Sequence, residues 1–213
     1  MNTIYRASTT MLVLMVLASI SACATKSVTV EGYETTVDVS GLERDDSEAP
    51  NIIYRRPGAP GLGEFNAFII DPVKVFYDDP GMEELSPEQV GRITQHLFDG
   101  MIGELRDAGY TVGTKSEAGK LRISFTLSGL RAPSAGANVT AAVVPFAARV
   151  GEVTVEAVLR DGLTNELEAV AVTRARGSRF LNASPWSTWS DVEKFLDSWA
   201  KGFRASVDEA HGR

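Results

Sequence analysis

The chain has 213 residues, a formal net charge of −7 and a hydrophobic content of 44%. The hydrophobic content is ordinary for a soluble domain, and the length suits one domain with a tether. The acidic balance gives no basic footprint for nucleic acid, so we expect no nucleic-acid partner. It also argues against broad contact with anionic lipid head groups.

Residues 1–22 have the layout of a secretory signal peptide. Arg6 is the one charged residue before an apolar stretch from Met11 to Leu17, and small residues then lead to Ala22. A membrane-spanning helix needs about 20 apolar residues to cross the hydrocarbon core, and this stretch is shorter. We therefore expect the segment to be removed rather than to stay as a membrane span.

Cys23 directly follows this segment and is the single cysteine of the chain. Together with the preceding Ile20-Ser21-Ala22, it resembles the lipobox of bacterial lipoprotein precursors. The resemblance implies cleavage between Ala22 and Cys23, a diacylglyceryl group on the Cys23 sulfur, and acylation of the new amine, for example with palmitate. A thiolate is the nucleophile that such a reaction needs. A stray cysteine in an ordinary signal peptide is the alternative.

The residue after the cysteine, Ala24, bears on the location. In double-membrane bacteria, lipoprotein precursors with Asp at this position tend to stay in the inner membrane. Ala24 therefore implies the outer membrane, with the body of the protein in the periplasm. We expect the membrane contact to be made by the lipid anchor, because two or more acyl chains are enough for stable attachment.

The processed chain divides into three parts. Residues 23–65 show little periodicity and are interpreted as a lipidated N-terminus and an extended tether that docks on the domain through Ile52–Tyr54. Residues 66–208 carry the patterns of a periplasmic domain. Residues 209–213 are expected to be a disordered tail.

The domain begins with a strand and a helix. The segment "FIIDPVKVFY" from Phe68 is typical of a strand, with Pro72 at its start, at an edge or at a bulge. Ser86 and Gln89 form a capping box, and Gly109 suits a C-terminal cap. Between them, apolar residues at spacings of three and four predict a helix: Val90, Ile93, Leu97, Met101 and Leu105.

Strands are predicted in the middle of the domain. "YTVGT" and "KLRISFTLSGL" have strand patterns, and the polar segment 113–120 between them is expected to form a hairpin. Residues 151–160 and 167–177 form two more strands. Their turn, "DGLTNE", places Gly162 and Asn165 where a positive φ is useful.

A second helix ends the domain. Ser190 and Glu193 form a capping box before its apolar stripe. The sum of the patterns predicts an α+β fold, with a largely antiparallel sheet of about five strands and two main helices packed on one face.

The sequence assigns no catalytic, cofactor-binding or metal-binding residue. His96 has no serine or cysteine partner at a recognisable spacing, so a surface position is favoured over a catalytic one. The loop 113–120 lacks the glycine spacing of a phosphate-binding loop. Glu156 is an acid in the middle of a strand. It is expected to form a structural ion pair with an arginine if it faces the first helix, and catalysis is the alternative.

Residues 141–148, "AAVVPFAA", form the longest apolar run after the signal. A buried segment packed on the sheet is the first interpretation. A partner-binding or membrane-touching loop is the alternative, with Val143, Val144 and Phe146 as its contact surface. The tryptophans near the last helix also have two interpretations, core packing or an aromatic platform that binds a ligand. They are Trp186, Trp189 and Trp199.

Several segments between about Ser40 and Val207 match one family in their order: "SGLERDDSE", "YRRPGA", "IIDPVKVFY", "GKLRISFTL", "VTVEAVLRDGLTNELEAVAV" and "WSDVEKFLDSWAKGFR". Through them the chain resembles the bacterial lipoproteins grouped as domain of unknown function 3313. Where the hairpin turn of that family tends to have Gly, this chain has Asn165, which tolerates the same left-handed conformation. The family has no established activity, so the resemblance implies a location and a fold but no catalytic residue.

We therefore expect a non-enzymatic outer-membrane lipoprotein whose periplasmic domain has a structural role or binds a protein partner in the envelope. One alternative is an accessory subunit of an envelope transport or assembly machine that docks through 141–148. The other is an envelope hydrolase that uses Glu156 or another acid. A hydrolase requires a deep cleft with at least two convergent polar side chains.

Overall fold

The computed structural model describes residues 29–30, 33–47, 51–76, 85–130, 152–176 and 189–213. Within them the strands are β1 (Thr29–Val30), β2 (Tyr33–Glu34), β3 (Glu43–Asp45), β4 (Ile52–Arg55), β5 (Ala67–Ile70), β6 (Lys74–Val75), β7 (Thr111–Gly113), β8 (Lys120–Ser128), β9 (Glu152–Asp161) and β10 (Leu167–Arg176). The α-helices are α1 (Pro87–Asp107) and α2 (Trp189–Ala210).

Eight strands form one sheet in the order β3-β4-β10-β9-β8-β5-β7, with β6 beside β8. Neighbours from β3 to β8 are antiparallel, whereas β5 and β6 run parallel to β8, and β7 runs parallel to β5. β1 and β2 pair separately with each other. In the described part of the chain, the predicted α+β class and mostly antiparallel sheet with two main helices are confirmed, but the sheet there has eight strands rather than about five.

Alternation along the long strands gives the sheet two different faces. The odd-numbered residues of β8 and β9 point to the face that carries both helices, and together with the buried sides of α1 and α2 they form the main core. Its largest fully buried side chains include Phe68, Ile93, Leu97, Met101, Leu105, Leu121, Ile123, Phe125, Leu127 and Leu196.

The capping box predicted for α1 is present. Ser86 Oγ accepts a hydrogen bond from the Gln89 amide at 3.2 Å, and Gln89 Oε1 accepts one from the Ser86 amide at 2.9 Å. After the helix, Gly109 has a φ of 86°, the left-handed conformation of a C-terminal cap. The buried residues of α1 belong to the predicted stripe: Ile93, Leu97, Met101 and Leu105.

α2 begins at Trp189, one residue before the predicted N-cap Ser190. Its far end is attached to α1. The Arg213 guanidinium donates to the Ala108 carbonyl at 3.2 Å, and the rings of His211 and Tyr110 lie 5.3 Å apart. The last residues, expected to be a disordered tail, therefore make defined contacts.

β3 and β4 lie inside the segment that was interpreted as a tether. β4 pairs with β10 along its whole length, and β3 pairs with β4. Ile52 and Tyr54 are buried, so the expected docking point is a strand of the main sheet. The two strands are short, and their partner β10 lies more than 100 residues further along the chain, so local patterns do not reveal them.

The predicted hairpin at 113–120 is wrong, because β5 lies between β7 and β8. Phe68, Ile69 and Ile70 in β5 are all buried, as in a central parallel strand covered on both faces. Burying this apolar run between β7 and β8 is favoured over direct pairing of those two strands in a local hairpin. The strand predicted from Phe68 is also interrupted, since β5 ends before Pro72 and β6 begins after it.

The hairpin between β9 and β10 forms as predicted, with Asn165 at a φ of 63°. Gly162 does not have the predicted positive φ, and glycine is needed there for another reason. A Cβ at this position would lie 2.7 Å from the Lys120 carbonyl oxygen, so glycine permits close approach of two backbones.

Candidate functional site

A groove of 940 Å³ runs between α2 and the strands β4 and β10, on the sheet face that carries the helices. We term it the α2 groove. Its floor is formed by sheet residues, its wall by one side of α2, and its end by the loop 59–64. The lining residues used below are Asn51, Ile53, Arg55, Arg56, Glu168, Ala169, Ala171, Thr173, Phe195, Ser198, Trp199, Gly202, Phe203, Ser206 and Glu209.

The groove is open because side-chain size changes across this face of the sheet. Under the helices β8 presents Phe125 and Leu127, which are fully buried. β10 instead presents Ala169 and Ala171, and these two residues and Ile53 in β4 are only partly buried. Alanine side chains fill less of the space beside α2, and a trough remains.

Aromatic residues form the inner wall. Phe195, Trp199 and Phe203 are spaced four residues apart and so lie along one side of α2. The Trp199 ring packs edge-on against Phe125, with centroids 5.3 Å apart, and stacks with Phe203 at 5.9 Å. Trp199 thus combines core packing with a surface that faces the groove. Trp186 and the side chain of Trp189 lie outside the described residues.

A second stripe on α2 is made of small residues: Ser198, Gly202 and Ser206. A Cβ added at Gly202 would have no heavy atom within 4 Å. The hydroxyls of Ser198 and Ser206 donate to backbone carbonyls one turn earlier, at 2.9 and 3.2 Å. This stripe therefore projects little from the helix, and its hydroxyl donors are already used.

The polar groups next to Trp199 bond to one another. The Trp199 indole N–H donates to Thr173 Oγ1 at 3.0 Å, and the Thr173 hydroxyl donates to Asn51 Oδ1 at 2.7 Å. Thr173 is buried, so these bonds satisfy groups that water does not reach.

An ion pair closes the floor at the loop end. The register of β10 shifts between Leu167 and Ala169, as at a β-bulge, and Glu168 in between is buried. Arg56 Nη2 lies 2.6 Å from Glu168 Oε2, and the Arg56 amide donates to the Glu168 carbonyl at 2.8 Å. A buried carboxylate requires such a partner, which explains why an arginine stands here.

The groups that could act as nucleophiles, bases or metal ligands are few in the described lining. No histidine or cysteine is among the described residues of the groove, and the Ser198 and Ser206 hydroxyls are bonded to the helix backbone. A nucleophile with a neighbouring base is therefore missing from the lining that the structure describes. Across the same described ranges, no cluster of three or more His, Cys, Asp or Glu side chains could hold a metal ion.

The shifted pKa values of Tyr110 and Asp208 concern the attachment of α2 rather than the groove. Burial raises the pKa of Tyr110, and its hydrogen bond to Asp208 adds to this effect. The Tyr110 hydroxyl donates to Asp208 Oδ1 at 2.8 Å, and this bond, with help from Arg204, lowers the pKa of Asp208. The pair ties the end of α2 to the residues that follow α1.

Glu156 lies on the opposite face of the sheet and does not face α1. Its carboxylate accepts hydrogen bonds from the Thr36 amide, at 3.0 Å, and from the Thr36 hydroxyl. The side chain is fully buried. Thr36 and its neighbours cover Glu156, so no open cleft surrounds this acid, the one that the hydrolase alternative names first.

The other predicted site residues are placed as follows. Cys23, its cleavage site after Ala22, and the surface of Val143, Val144 and Phe146 lie outside the described residues and stay predictions. The accessory-subunit alternative depends on the same apolar run. His96 lies between the helices, with Nε2 2.7 Å from Asp197 Oδ1. No helix in the described ranges is sufficiently long and apolar to traverse a bilayer.

Two features of the sequence belong to the groove, but neither by itself predicts a site. One is the four-residue spacing of Phe195, Trp199 and Phe203, which also suits a core. The other is the alternation of alanine with larger residues in "EAVAV" of β10. Neither indicates a groove until the position of α2 relative to β10 is known.

Solved structures of other proteins are similar over much of the chain. One is the PelC dodecamer from Paraburkholderia phytofirmans, with 13% identity, a TM-score of 0.40, and coverage of 75% of this chain and 96% of that chain. Another is the lipoprotein GNA1162 from Neisseria meningitidis, with 11% identity, a TM-score of 0.33, and coverage of 63% and 96%. At these values the likeness is partial and assigns no function.

No curated protein matches the chain in sequence. The model of a family described as "Protein of unknown function (DUF3313)" matches residues 32–203. This match covers most of the chain and confirms the resemblance seen in its segments. The chain belongs to the DUF3313 family of proteins of unknown function.

Proposed function

We propose that this chain is a lipid-anchored lipoprotein of the outer membrane whose periplasmic domain binds a ligand in the α2 groove without catalysing a reaction. The observation that supports binding is the groove itself, a long trough of small and aromatic side chains. Its polar neighbours are already bonded to one another. Sites of 300–1,000 Å³ with mainly apolar walls and few polar groups are typical of ligand binding.

Residues 36–39 lie on the opposite side of the sheet from the groove. Thr36 is bonded to Glu156 on the far face, and Val39 is buried in the small cluster there. Anchoring at Cys23 is therefore compatible with an open groove. An anchored domain with a free groove fits a binding module better than a purely structural spacer.

The anchor is tested by replacing Cys23 with Ser in the full-length chain. We expect the unaltered protein to incorporate a palmitate analogue and to fractionate with the outer membrane. The Cys23→Ser variant should do neither. Release of the unaltered protein into the soluble fraction, with Cys23 unmodified and cleavage elsewhere, would contradict the proposed location.

The groove is tested by cross-linking in intact cells followed by mass spectrometry. A photoreactive amino acid replaces Ser198, which is exposed and lines the groove. We expect a specific adduct that disappears when Gly202→Phe fills the groove. Gly91→Phe is the matched control, since Gly91 is an exposed position of α1 whose added Cβ also meets no heavy atom within 4 Å. Equal adducts in both variants would refute binding in the groove.

A further inference from the structure

The dimensions of the α2 groove restrict what it can hold. The helix lines it from Phe195 to Ala210, which is about 22 Å at 1.5 Å per residue. Over this length, a volume of 940 Å³ corresponds to a cross-section of about 40 Å² for the centres of bound atoms. The groove is therefore long and narrow, and a single extended chain fits along it.

The hydrogen bonding of the floor distinguishes a hydrocarbon chain from a peptide. β4 is paired on both sides, by β3 and β10, and β10 is paired by β4 and β9, so the floor has no free strand edge. A peptide could not add a strand there. Its N–H and C=O groups that face Ala169, Ala171 and Ile53 would have no partners, at a cost in free energy. An alkyl chain has no such groups.

The polar side chains beside the trough do not change this conclusion. Thr173 is bonded to Asn51 and Trp199, and Glu168 is bonded to Arg56. The hydroxyls of Ser198 and Ser206 already donate to the helix backbone, so neither has a free donor. The floor and this stripe therefore favour a ligand chain that is apolar along most of its length.

The rim carries charges of both signs near the loop end. The Arg55 side chain is 47% exposed, and its guanidinium lies 3.8 Å from the nearest Asp45 oxygen. Glu64 and Glu209 line the same part of the groove and are exposed. Charges of both signs complement a zwitterionic head group better than a net anionic one.

We infer that the α2 groove binds one acyl chain of a zwitterionic phospholipid. The chain lies along the small stripe of α2 over the alanines of β10, and the head group lies near Arg55. This inference deepens the proposed binding function and rests on it.

The test uses the full-length chain in its own membranes and phosphatidylethanolamine with a diazirine on one acyl chain. After irradiation, we expect adducts in the peptides that carry Phe195–Ser206 and Ile53. Gly202→Phe should reduce them at least tenfold, Ala171→Leu should do so from the floor, and Gly91→Phe should leave them unchanged. Phosphatidylglycerol with the same acyl chain should label the groove less.

Other outcomes would overturn the inference. Adducts confined to residues before Thr36 in all variants would indicate contact through the anchor only. Equal labelling by phosphatidylglycerol would refute the zwitterionic assignment. If the groove gives no lipid adduct while the Ser198 probe captures a polypeptide that Gly202→Phe excludes, the lipid inference fails and the proposed function stands. If neither probe gives an adduct, and Gly202→Phe lowers the melting temperature while Gly91→Phe does not, residues of the protein itself fill the groove. The lipid inference and the proposed binding function then both fail.

Discussion

The helix face of the sheet has a closed half and an open half. In the closed half, β8 and β9 lie beneath the helices, and Ile123 and Phe125 are fully buried. In the open half, β10 and β4 line the α2 groove with Ala169, Ala171 and Ile53, which stay partly exposed. The boundary is sharp, because Ala157 of β9 and Ala171 of β10 are direct cross-strand partners.

The difference shows how one sheet combines stability with a binding surface. Each large side chain buried under the helices stabilises the fold by about 1.5–3 kcal/mol. An alanine in the same row forgoes most of this gain but keeps space free beside α2. The open half can give up this burial because the closed half already holds both helices.

The largest expected effect comes from truncating a residue of the closed half. Phe125→Ala removes a ring that is fully buried and packs on Trp199, so the free energy of unfolding should fall by about 3–5 kcal/mol. Ile53→Ala, in the open half, should cost less than half of this amount. Urea denaturation of both variants measures the difference. Equal losses would mean that the open half is packed as tightly as the closed half.

The closed half could largely be predicted from the sequence, since its signals are local. The Ser86–Gln89 capping box, Gly109 and the stripe between them define the 21 residues of α1. The alternation of β8 places Leu121, Ile123, Phe125 and Leu127 on one face, as observed. Short-range periodicity is enough for such elements because their buried positions recur every two residues or every three to four.

The open half could not be predicted, because it depends on pairing between distant segments. β4 has only four residues and follows a charged stretch, and its strand conformation is set by β10. The bond between Arg56 and Glu168 joins residues 112 positions apart. The groove further requires the position of α2 relative to β10, which the spacing within α2 does not specify.

The next effect is a matched pair of substitutions across the boundary. Ala157→Leu adds three carbons to the fully buried closed half and should cost about 1–3 kcal/mol through overpacking. Ala171→Leu adds the same atoms beside the groove and should change stability by less than about 0.5 kcal/mol. Thermal denaturation of the two variants compares them directly. A larger loss for Ala171→Leu would show that the trough is not free space.

A smaller effect depends on pH and concerns the end of α2. The pKa of Asp208 is lowered in the fold, so its contribution is present above the unfolded carboxyl value of about 4 and is lost as pH falls further. The pKa of Tyr110 is raised, so its contribution is present below about 10 and is lost as pH rises through the folded value.

Tyr110→Phe tests this pair, because it removes the hydroxyl and the hydrogen bond to Asp208 together. The variant should lose less stability than the unaltered protein when pH falls below 4 or rises above 10. Asp161 is an internal control, since its lowered pKa comes from the amides of Thr164 and Leu163 in the hairpin. Melting temperatures over the pH range measure the effect, and identical profiles for the two proteins would contradict it.

The smallest effect is expected for the polar links between the helices of the closed half. His96 Nε2 lies 2.7 Å from Asp197 Oδ1, and Arg92 Nε lies 3.2 Å from Glu193 Oε1. These side chains are 27–53% exposed, so water screens both pairs, and each should contribute at most about 1 kcal/mol.

Replacing His96 and Arg92 with Ala, singly and together, measures whether packing or charge holds α2 against α1. Small and additive losses in urea denaturation are expected, since the two pairs share no partner. A combined loss close to that of Phe125→Ala would mean that charges on the helices fix the position of α2. The groove would then owe its existence to those charges, and the alanines of β10 would be a consequence of the open space rather than its cause.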